Sequence, residues 1–257
     1  TLNDDLFVRG SGGLVPTPRA EAMREPLRAI IAMLENSLLS TAPFDPAAAA
    51  GSYRISTPDR HTIAVVPVLL ERLQRQAPNM SLHVITADRK QALDLLLEDR
   101  TDIALGWVDN RPPHLNSEHL LDEGLFCVMR RMHPLIRSRK KFDIDSVLSY
   151  PHLVVSATGE RTAIFDDLLA RKGLQRTAAV TLSNFTAVPD LLSRSNMVGV
   201  FTRLAADVFE KVFGLAKRPV PIDVGEIVTE MVWNVRVDRD EKQRWLRQQI
   251  KAVYGNL

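Results

Sequence analysis

The chain has 257 residues, of which 45% are hydrophobic and 25% are charged, and its formal net charge at pH 7 is +2. This composition is typical of a soluble globular protein with a sizeable core, in one large domain or two ordinary ones. Proteins whose main body binds nucleic acid usually carry clustered Lys and Arg. The densest basic cluster here runs from Arg137 to Lys141. It is short and is better explained as a solvated loop.

A single cysteine, Cys127, excludes an intrachain disulfide and a cysteine-based zinc site. It lies in the apolar sequence GLFCVM, so we expect a buried, inert thiol rather than a redox switch. No apolar run approaches the ~20 residues that span a bilayer. The amino terminus, TLNDDLFVRG, lacks the basic and apolar regions of a signal peptide. We therefore expect a cytoplasmic protein, of which this sequence is one part because it opens without a Met.

The amino-terminal region predicts a hairpin followed by a long helix. Residues 6–15, LFVRGSGGLV, form two short apolar segments around glycines, which favours a β-hairpin. A phosphate-binding loop is disfavoured because no Gly-Lys-Ser/Thr follows those glycines. Thr17 and Pro18 predict a helix start, and the helix should end before Ala42. Its apolar residues recur at spacings of three and four, so they predict one continuous stripe. The stripe comprises Leu27, Ile30, Ile31, Leu34 and Leu38.

From Ser52 onward the sequence predicts alternating strands and helices, hence the α/β class. Two similar lobes are expected, each with a parallel-type sheet covered by helices on both faces. A cleft between such lobes is a common place for a small ligand. The first lobe is predicted to hold strands at 53–56, 82–86, 102–107, 119–121 and 125–130, with helices within 57–76 and at 89–98. The second is predicted to hold strands at 152–156, 178–182, 197–201 and 216–220, with helices at 161–171, 186–195 and 204–210. A strand at 227–237 and a helix at 241–254 end the chain.

Three segments resemble LysR-type transcriptional regulators, and their order and spacing are more specific than any one of them. LFVRGSGGLVPTPRAEAM is similar to the wing of the family's winged helix-turn-helix and its linker helix. LHVITADRKQALDLLLEDRTDIALGW resembles a strand-helix-strand segment of the family. MHPLIRSRKKFDIDSVLSYPHLVVS resembles the crossing between its two regulatory lobes. The branch looks most similar to regulators of nodulation and of aromatic-compound degradation.

The resemblance implies two Rossmann-like lobes with the type 2 periplasmic-binding-protein fold, preceded by a linker helix and a wing hairpin. It also implies a homodimer or tetramer, formed in part by the apolar stripe of the linker helix. Promoter DNA would be bound through the full amino-terminal domain, most of which this sequence lacks, and Arg9 is its remaining candidate contact. No cofactor or metal is implied. The implied division is 1–16 for the wing, 17–50 for the linker helix and hinge, 51–131 with 225–257 for the first lobe, and 132–224 for the second lobe.

The candidate effector site follows from position, because ligands of open α/β sheets bind beyond the carboxyl ends of strands. We expect a small organic molecule there, more aromatic than sugar-like. Its predicted polar contacts are Thr57, Arg60, Thr86 and Thr158, and its predicted apolar contacts are Trp107, Phe185 and Phe201.

Each of these contacts has a purely structural alternative. Thr57 could instead cap the following helix, and Arg60 could be a surface residue in its first turn. The aromatic residues could belong to the core. Asp59 would oppose an anionic ligand at the same turn, which argues against an acidic effector.

Catalysis is not predicted, because the six histidines are scattered and no nucleophile elbow or phosphate-binding glycine motif occurs. The main alternative to a regulator is a solute-binding receptor of a transporter, which has the same two-lobed fold. The missing signal peptide and the hairpin followed by an amphipathic helix argue against that alternative. An enzyme on this scaffold is a third possibility, without a catalytic set of residues to support it.

Overall fold

The computed structural model describes residues 4–10, 12–39, 44–106, 111–138, 141–156, 164–223 and 225–257. Contacts between residues divide the chain into two units, Thr1–Phe44 and Asp45–Leu257. Within the described residues, no helix is both long enough and apolar enough to cross a membrane.

The first unit consists of the predicted hairpin and helix. Strand β1 (Phe7–Gly10) pairs antiparallel with strand β2 (Gly13–Pro16), and helix α1 covers Pro18–Leu39. The Thr17 hydroxyl accepts a hydrogen bond from the Ala20 amide at 3.2 Å, as expected of a residue that begins a helix. The stripe on α1 is about half exposed within this chain, with 46–54% of each described side chain accessible. Its described members are Leu27, Ile30, Ile31 and Leu34, and the side chain of Leu38 lies outside the described part.

The second unit contains ten strands and nine α-helices within the described ranges. The strands are β3 (Gly51–Thr57), β4 (Met80–Thr86), β5 (Ile103–Gly106), β6 (Leu115–Glu123), β7 (Leu125–Met129), β8 (His152–Val155), β9 (Ala178–Leu182), β10 (Val198–Thr202), β11 (Ala216–Pro219) and β12 (Ile227–Asn234). The helices are α2 (Asp59–Ala64), α3 (Val66–Gln76), α4 (Arg89–Leu97), α5 (Pro134–Arg137), α6 (Ile144–Leu148), α7 (Ile164–Ala170), α8 (Val188–Ser193), α9 (Arg203–Phe213) and α10 (Glu241–Tyr254).

These strands form two five-stranded sheets, one in each lobe. The first has the order β4-β3-β5-β12-β6, and the second has the order β11-β7-β10-β8-β9. Strands β3, β4 and β5 are parallel to one another, as are β8, β9 and β10. However, β12 is antiparallel to both of its neighbours, and β7 is antiparallel to β10 and β11. The sheets are therefore mixed, which corrects the prediction of parallel-type sheets.

The antiparallel strands are those with which the chain enters each lobe from the other. The chain leaves the first sheet at Glu123 and begins β7 of the second sheet at Leu125. It returns at Ile227, which pairs with Glu123. Because β7 belongs to the second sheet, the first crossing lies at Gly124, and the predicted boundary between residues 131 and 132 is wrong.

Local geometry explains the other differences from the predicted elements. The single helix expected within residues 57–76 is divided at Val65 into α2 and α3, and Pro67 in the first turn of α3 has no backbone N–H to continue the earlier helix. The segment between β7 and β8 holds two short helices, α5 and α6, which the sequence pattern did not predict. The last predicted strand stops at Asn234, and a 3-10 turn covers Val235–Val237.

Helices α2 and α9 interlock the two lobes, because each places at least one apolar side chain in the core of the other lobe. Leu204, on α9 of the second lobe, packs in the core formed by Ile55, Leu69 and other residues of the first lobe. Ile63, on α2 of the first lobe, packs against the second-lobe core that surrounds Phe209. We refer to the pair Ile63 and Leu204 as the interlock.

Replacing the first-lobe contact of α9 should destabilise the protein. Leu204 is 2% exposed, so Leu204→Ala removes buried apolar surface and leaves a cavity between the lobes. We expect a loss of about 2–5 kcal/mol in the free energy of unfolding, measured with urea. Val212→Ala is the matched control, since Val212 lies on the same helix and is 70% exposed. Equal stabilities of the two variants would contradict this account of the interlock.

Candidate functional site

The carboxyl ends of the parallel strands in both lobes lie at the crossing around Gly124. In the first lobe, β6 ends there at Glu123, paired with the first residue of β12. In the second lobe, Leu125 pairs with Thr202, the last residue of β10. Strand ends of this kind are where α/β sheets bind ligands. The two edges therefore form one candidate site.

Four buried hydroxyl groups lie at these strand ends without a hydrogen-bond partner among the described residues. Ser56 and Thr57 end β3, and Thr202 ends β10. Thr229 lies in β12 directly before Glu230, the residue that pairs with Gly106 at the end of β5. Ser56, Thr57 and Thr229 are 0% exposed, and Thr202 is 5% exposed. A buried hydroxyl usually has a hydrogen-bond partner, because burying a polar group without a hydrogen bond costs free energy. These hydroxyls can supply hydrogen bonds to a bound molecule.

Glu123 joins the crossing to the helix of the second lobe. Its carboxylate Oε1 accepts a hydrogen bond from the Leu204 amide at 2.8 Å, in the first turn of α9. The adjacent carbonyl of Gly124 accepts one from the Arg203 amide at 3.1 Å. Thr202, which precedes the helix, makes no capping hydrogen bond with its side chain. The helix is thus capped by a residue from the first sheet.

Charged and polar neighbours keep Glu123 ionised despite its burial. Burial alone would raise the pKa of its carboxyl group, but His61, the Leu204 amide and Arg60 together hold that pKa below its usual value. A negative charge at a helix amino terminus is also favoured by the helix dipole. The crossing therefore carries a buried negative charge.

His61 is neutral in this cluster. Its side chain is fully buried on α2, and its Nδ1 lies 3.2 Å from the hydroxyl of Tyr254. Burial and, to a smaller extent, the nearby positive charge of Arg60 lower the pKa of the imidazole to about 4, against the opposing effect of Glu123. Its Nε2 is 3.9 Å from the Glu123 carboxylate, which is too long for a hydrogen bond.

Arg60 provides the positive charge of the cluster. Its Nε is buried and has no hydrogen-bond partner among the described residues. Burial lowers the pKa of its guanidinium group, and Glu123 and Tyr254 oppose that shift. An arginine nevertheless stays charged in proteins. Arg60 as a whole is partly exposed, and it is its Nε atom that is buried.

Asp59 makes a direct contact between the lobes. It is the first residue of α2, and its Oδ2 accepts a hydrogen bond from the Phe185 amide of the second lobe at 2.6 Å. Phe185 lies in the turn before α8, where the Asn184 side chain also accepts the Thr186 amide at 3.0 Å. The Asp59 carboxylate therefore faces a backbone donor of the second lobe, an arrangement that the sequence did not predict.

The structure places two of the predicted polar contacts side by side. Thr57 pairs in register with Thr86 of the neighbouring strand, so both lie at the carboxyl edge of the first sheet. Thr57 is fully buried, whereas Thr86 is exposed. The alternative that Thr57 caps the next helix is wrong, because Pro58 occupies the capping position and no side chain caps that helix. Thr158 lies outside the described residues.

The predicted aromatic contacts lie in an aromatic cluster of the second lobe. The rings of Phe185 and Phe201 have centroids 5.3 Å apart, and both also pack on Phe209. The Phe201 ring lies so close to Gly199 that a Cβ there would clash with it. This ring is 5% exposed and packs in the core, while Phe185 is only partly buried. Trp107 lies outside the described residues.

Sequence reasoning missed three residues of this region. Thr229 lies in a strand whose partners come from distant parts of the chain, so nothing local marked it. Glu123 ends β6 in the sequence DEG, where an acidic residue is typical of a solvated turn. Tyr254 follows the periodic pattern of α10, and only its hydroxyl contact with His61 shows another role. For each of them, the informative signal is strand pairing or contact across the fold.

The rest of the chain offers no sign of metal or thiol chemistry within the described part. No group of three or more His, Cys, Asp or Glu residues is placed to hold a metal ion there. The predicted burial of Cys127 is confirmed, since it lies in β7 and is 0% exposed. Burial raises the pKa of this thiol to about 12, against a small opposing effect of Arg176.

The two-lobed fold and its crossing define the class of protein. The sequence model of the family described as LysR substrate binding domain matches residues 46–255. This match covers most of the chain, so the chain belongs to the LysR family, which confirms the resemblance and the fold class seen in its motifs.

Curated relatives extend the similarity over nearly the whole chain. The HTH-type transcriptional activator NahR of Pseudomonas putida is 29% identical over 248 residues, which are 96% of this chain and 82% of that protein. The HTH-type transcriptional regulator SyrM of Rhizobium meliloti is 28% identical over 254 residues, 98% of this chain and 76% of that protein. Nodulation protein D 1 of Bradyrhizobium japonicum is 27% identical over 248 residues, 96% of this chain and 76% of that protein.

Solved structures show the same architecture. A probable transcriptional regulator from Pseudomonas aeruginosa matches with a TM-score of 0.71 and 29% identity, over 98% of this chain and 83% of that one. The regulatory domain of MexT, a transcriptional activator in Pseudomonas aeruginosa, matches with a TM-score of 0.70 and 22% identity, over 79% of this chain and 100% of that one. The second likeness concerns the fold alone.

Acid should destabilise the folded chain through three buried histidines, His61, His133 and His152, because burial lowers the pKa of each. Burial lowers the pKa of both His61 and His152 to about 4, from 6.5 in an unfolded chain. Their contribution to stability is complete above pH 6.5 and is lost as the pH falls towards 4, because protons then bind the unfolded chain more tightly. At pH 5 we expect a loss of roughly 2 kcal/mol for each of these two histidines.

The variant His61→Gln removes the contribution of His61 to this loss of stability at low pH. The difference in unfolding free energy between pH 7.5 and pH 5, measured with urea, should shrink by roughly 2 kcal/mol in that variant. An unchanged difference would show that His61 does not carry this part of the pH dependence.

Proposed function

We propose that this chain is the ligand-sensing part of a LysR-type transcriptional regulator. The observation that carries the proposal is family membership over residues 46–255. Relatives named as HTH-type transcriptional activators and regulators support it, and they match over at least three quarters of their own lengths. A solute-binding receptor of a transporter would share the fold, but no relative named above is such a receptor. An enzymatic role is not part of the proposal.

The ligand is proposed to bind between the carboxyl edges of the two sheets. Support comes from the buried hydroxyls of Thr57 in the first lobe and Thr202 in the second, which have no described partner. Ligand sites of this kind combine a mostly apolar lining with a few polar groups. We therefore propose a small organic molecule, more aromatic than sugar-like. The remaining proposed contacts are Ser56, Arg60, Thr86, Trp107, Thr158, Phe185, Phe201 and Thr229.

Sensing requires that the ligand binds one arrangement of lobes and subunits better than another. A coupling of ~1–3 kcal/mol between ligand and arrangement is typical. The contacts of the interlock and of Glu123 would stay in place while the lobes move from one arrangement to the other. The proposed readout is a change in how the subunits present their DNA-binding domains.

The amino-terminal unit is proposed to serve assembly and DNA contact. Residues 1–16 would be the wing of the DNA-binding domain, with exposed Arg9 as its phosphate contact. Residues 17–50 would be the linker helix and hinge, and the apolar stripe on α1 would pack against the same helix of a second subunit. The half-exposed state of that stripe in a single chain supports this assignment.

Substitutions that introduce charged side chains into the apolar stripe should therefore dissociate the subunits. The double variant Ile31→Glu with Leu34→Glu places two carboxylates where apolar surface would be buried. We expect the dissociation constant of the dimer, measured by analytical ultracentrifugation, to rise at least about a hundredfold. Ala32→Glu on the opposite face of α1 is the control and should leave it unchanged. A dimer equally stable in the double variant would contradict the assignment.

Removing the buried hydroxyls should weaken ligand binding while the fold is retained. The ligand should first be sought by thermal shift with a panel of aromatic acids and phenolics, and its affinity then measured by calorimetry. Thr57→Val and Thr202→Val are each expected to weaken binding by ~1–3 kcal/mol, because each removes one buried hydrogen bond.

Thr177→Val is the matched control, since Thr177 is exposed just before the amino end of β9, at the far edge of the second sheet. It should leave the affinity unchanged. A compound that binds all three variants as tightly as the wild type would place the pocket elsewhere, even though the chain belongs to the family.

A further inference from the structure

We propose that Asp59 is a latch, a releasable hydrogen bond by which the first lobe holds the 184–186 turn of the second lobe. The latch consists of the Asp59 carboxylate and the Phe185 amide, which are 2.6 Å apart between Oδ2 and N. It joins residues that are 126 positions apart in the sequence. A hydrogen bond to a carboxylate is roughly twice as strong as one between neutral groups.

The latch differs from the buried contacts between the lobes in its access to water. Leu204 and the Glu123 carboxylate are buried, and they remain out of solvent wherever the lobes stay interlocked. Asp59 and Phe185 are only partly buried, and the flanking residues Asn184 and Thr186 are exposed. Water can replace the Phe185 amide at the Asp59 carboxylate at small cost. The latch is thus a contact that can break while the interlock persists.

Breaking the latch would also free an aromatic side chain. The Phe185 ring packs on Phe201 at 5.3 Å and on Phe209 at 5.8 Å between centroids. The backbone amide that Asp59 binds belongs to the same residue, so loss of the latch removes one of the contacts that fix this ring at the edge of the candidate site. Asp59 is therefore a positioning residue for the lobes and for Phe185.

The consequence for ligand binding rests on the proposed function, whereas the latch itself does not. If a ligand binds best when the lobes are latched, loss of the latch lowers the population that can bind it and weakens its apparent affinity. The latch can be tested in the ligand-free protein. A failure of the latch and a failure of the proposed function are then distinguishable.

The experiment measures the distance between the lobes and the exchange of one amide. Nitroxide labels on Lys90→Cys, in the first lobe, and Ser193→Cys, in the second, report the distance by pulsed electron spin resonance, since both positions are exposed. The buried Cys127 should not react. Hydrogen exchange of the Phe185 amide is followed by NMR in the unlabelled, ligand-free chain.

We expect Asp59→Ala to add a population at longer distance and to speed exchange of the Phe185 amide at least about tenfold. Asp59→Asn keeps a neutral acceptor, so both effects should have the same direction and smaller size. Asp88→Ala is the matched control. Asp88 caps α4 within the first lobe by accepting the Gln91 amide at 2.8 Å, so its loss should affect Gln91 and leave Phe185 unchanged.

Distances and Phe185 exchange that match the wild type in Asp59→Ala would overturn the proposal. Should that variant fail to fold, unchanged values in Asp59→Asn would overturn it equally. Faster Phe185 exchange with an unchanged distance would also overturn it, because Asp59 would then cap the turn without holding the lobes. A weaker affinity for a phenolic compound from the panel in the Asp59 variants would show that the latch also supports ligand binding.

Discussion

The arrangement of the two lobes depends on one buried charge, the carboxylate of Glu123. An ionised group out of water is tolerated only with close partners, and Glu123 has the Leu204 amide at 2.8 Å and positive Arg60 nearby. Because this residue ends the strand from which the chain leaves the first lobe, its hydrogen bond fixes the start of α9 at the crossing. The interlock of Ile63 and Leu204 follows from that position.

With α9 capped from the other lobe, the groups at the strand ends are free for other partners. Thr202 precedes the helix but makes no capping bond, and His61 is held neutral by burial and by Arg60. The region therefore combines hydroxyls that have no partner among the described residues with the opposite charges of Glu123 and Arg60. Such a site suits a ligand with hydrogen-bond donors and acceptors. Because groups of both lobes take part, ligand binding at this site could be linked to the arrangement of the lobes.

Local patterns were enough to predict elements whose periodicity is strong, such as α1, β4 and α10, and the turn at Thr57. The failures concern pairing between distant residues. Nothing in LFCVM shows that β7 joins the second sheet, since that follows from its register with β10. The role of Glu123 depends in the same way on an amide that comes 81 residues later. Phe201 was foreseen at a strand end, but its packing over Gly199 is set by a neighbour on the same strand.

The claim that a ligand binds between the two carboxyl edges is tested most directly by hydrogen exchange with and without bound ligand. A saturating phenolic compound that binds from the panel is expected to slow exchange in both lobes, at residues 56–61 and at residues 201–204. These segments belong to different sheets and meet only at the crossing. Protection confined to one lobe, or found only in α1, would contradict the account.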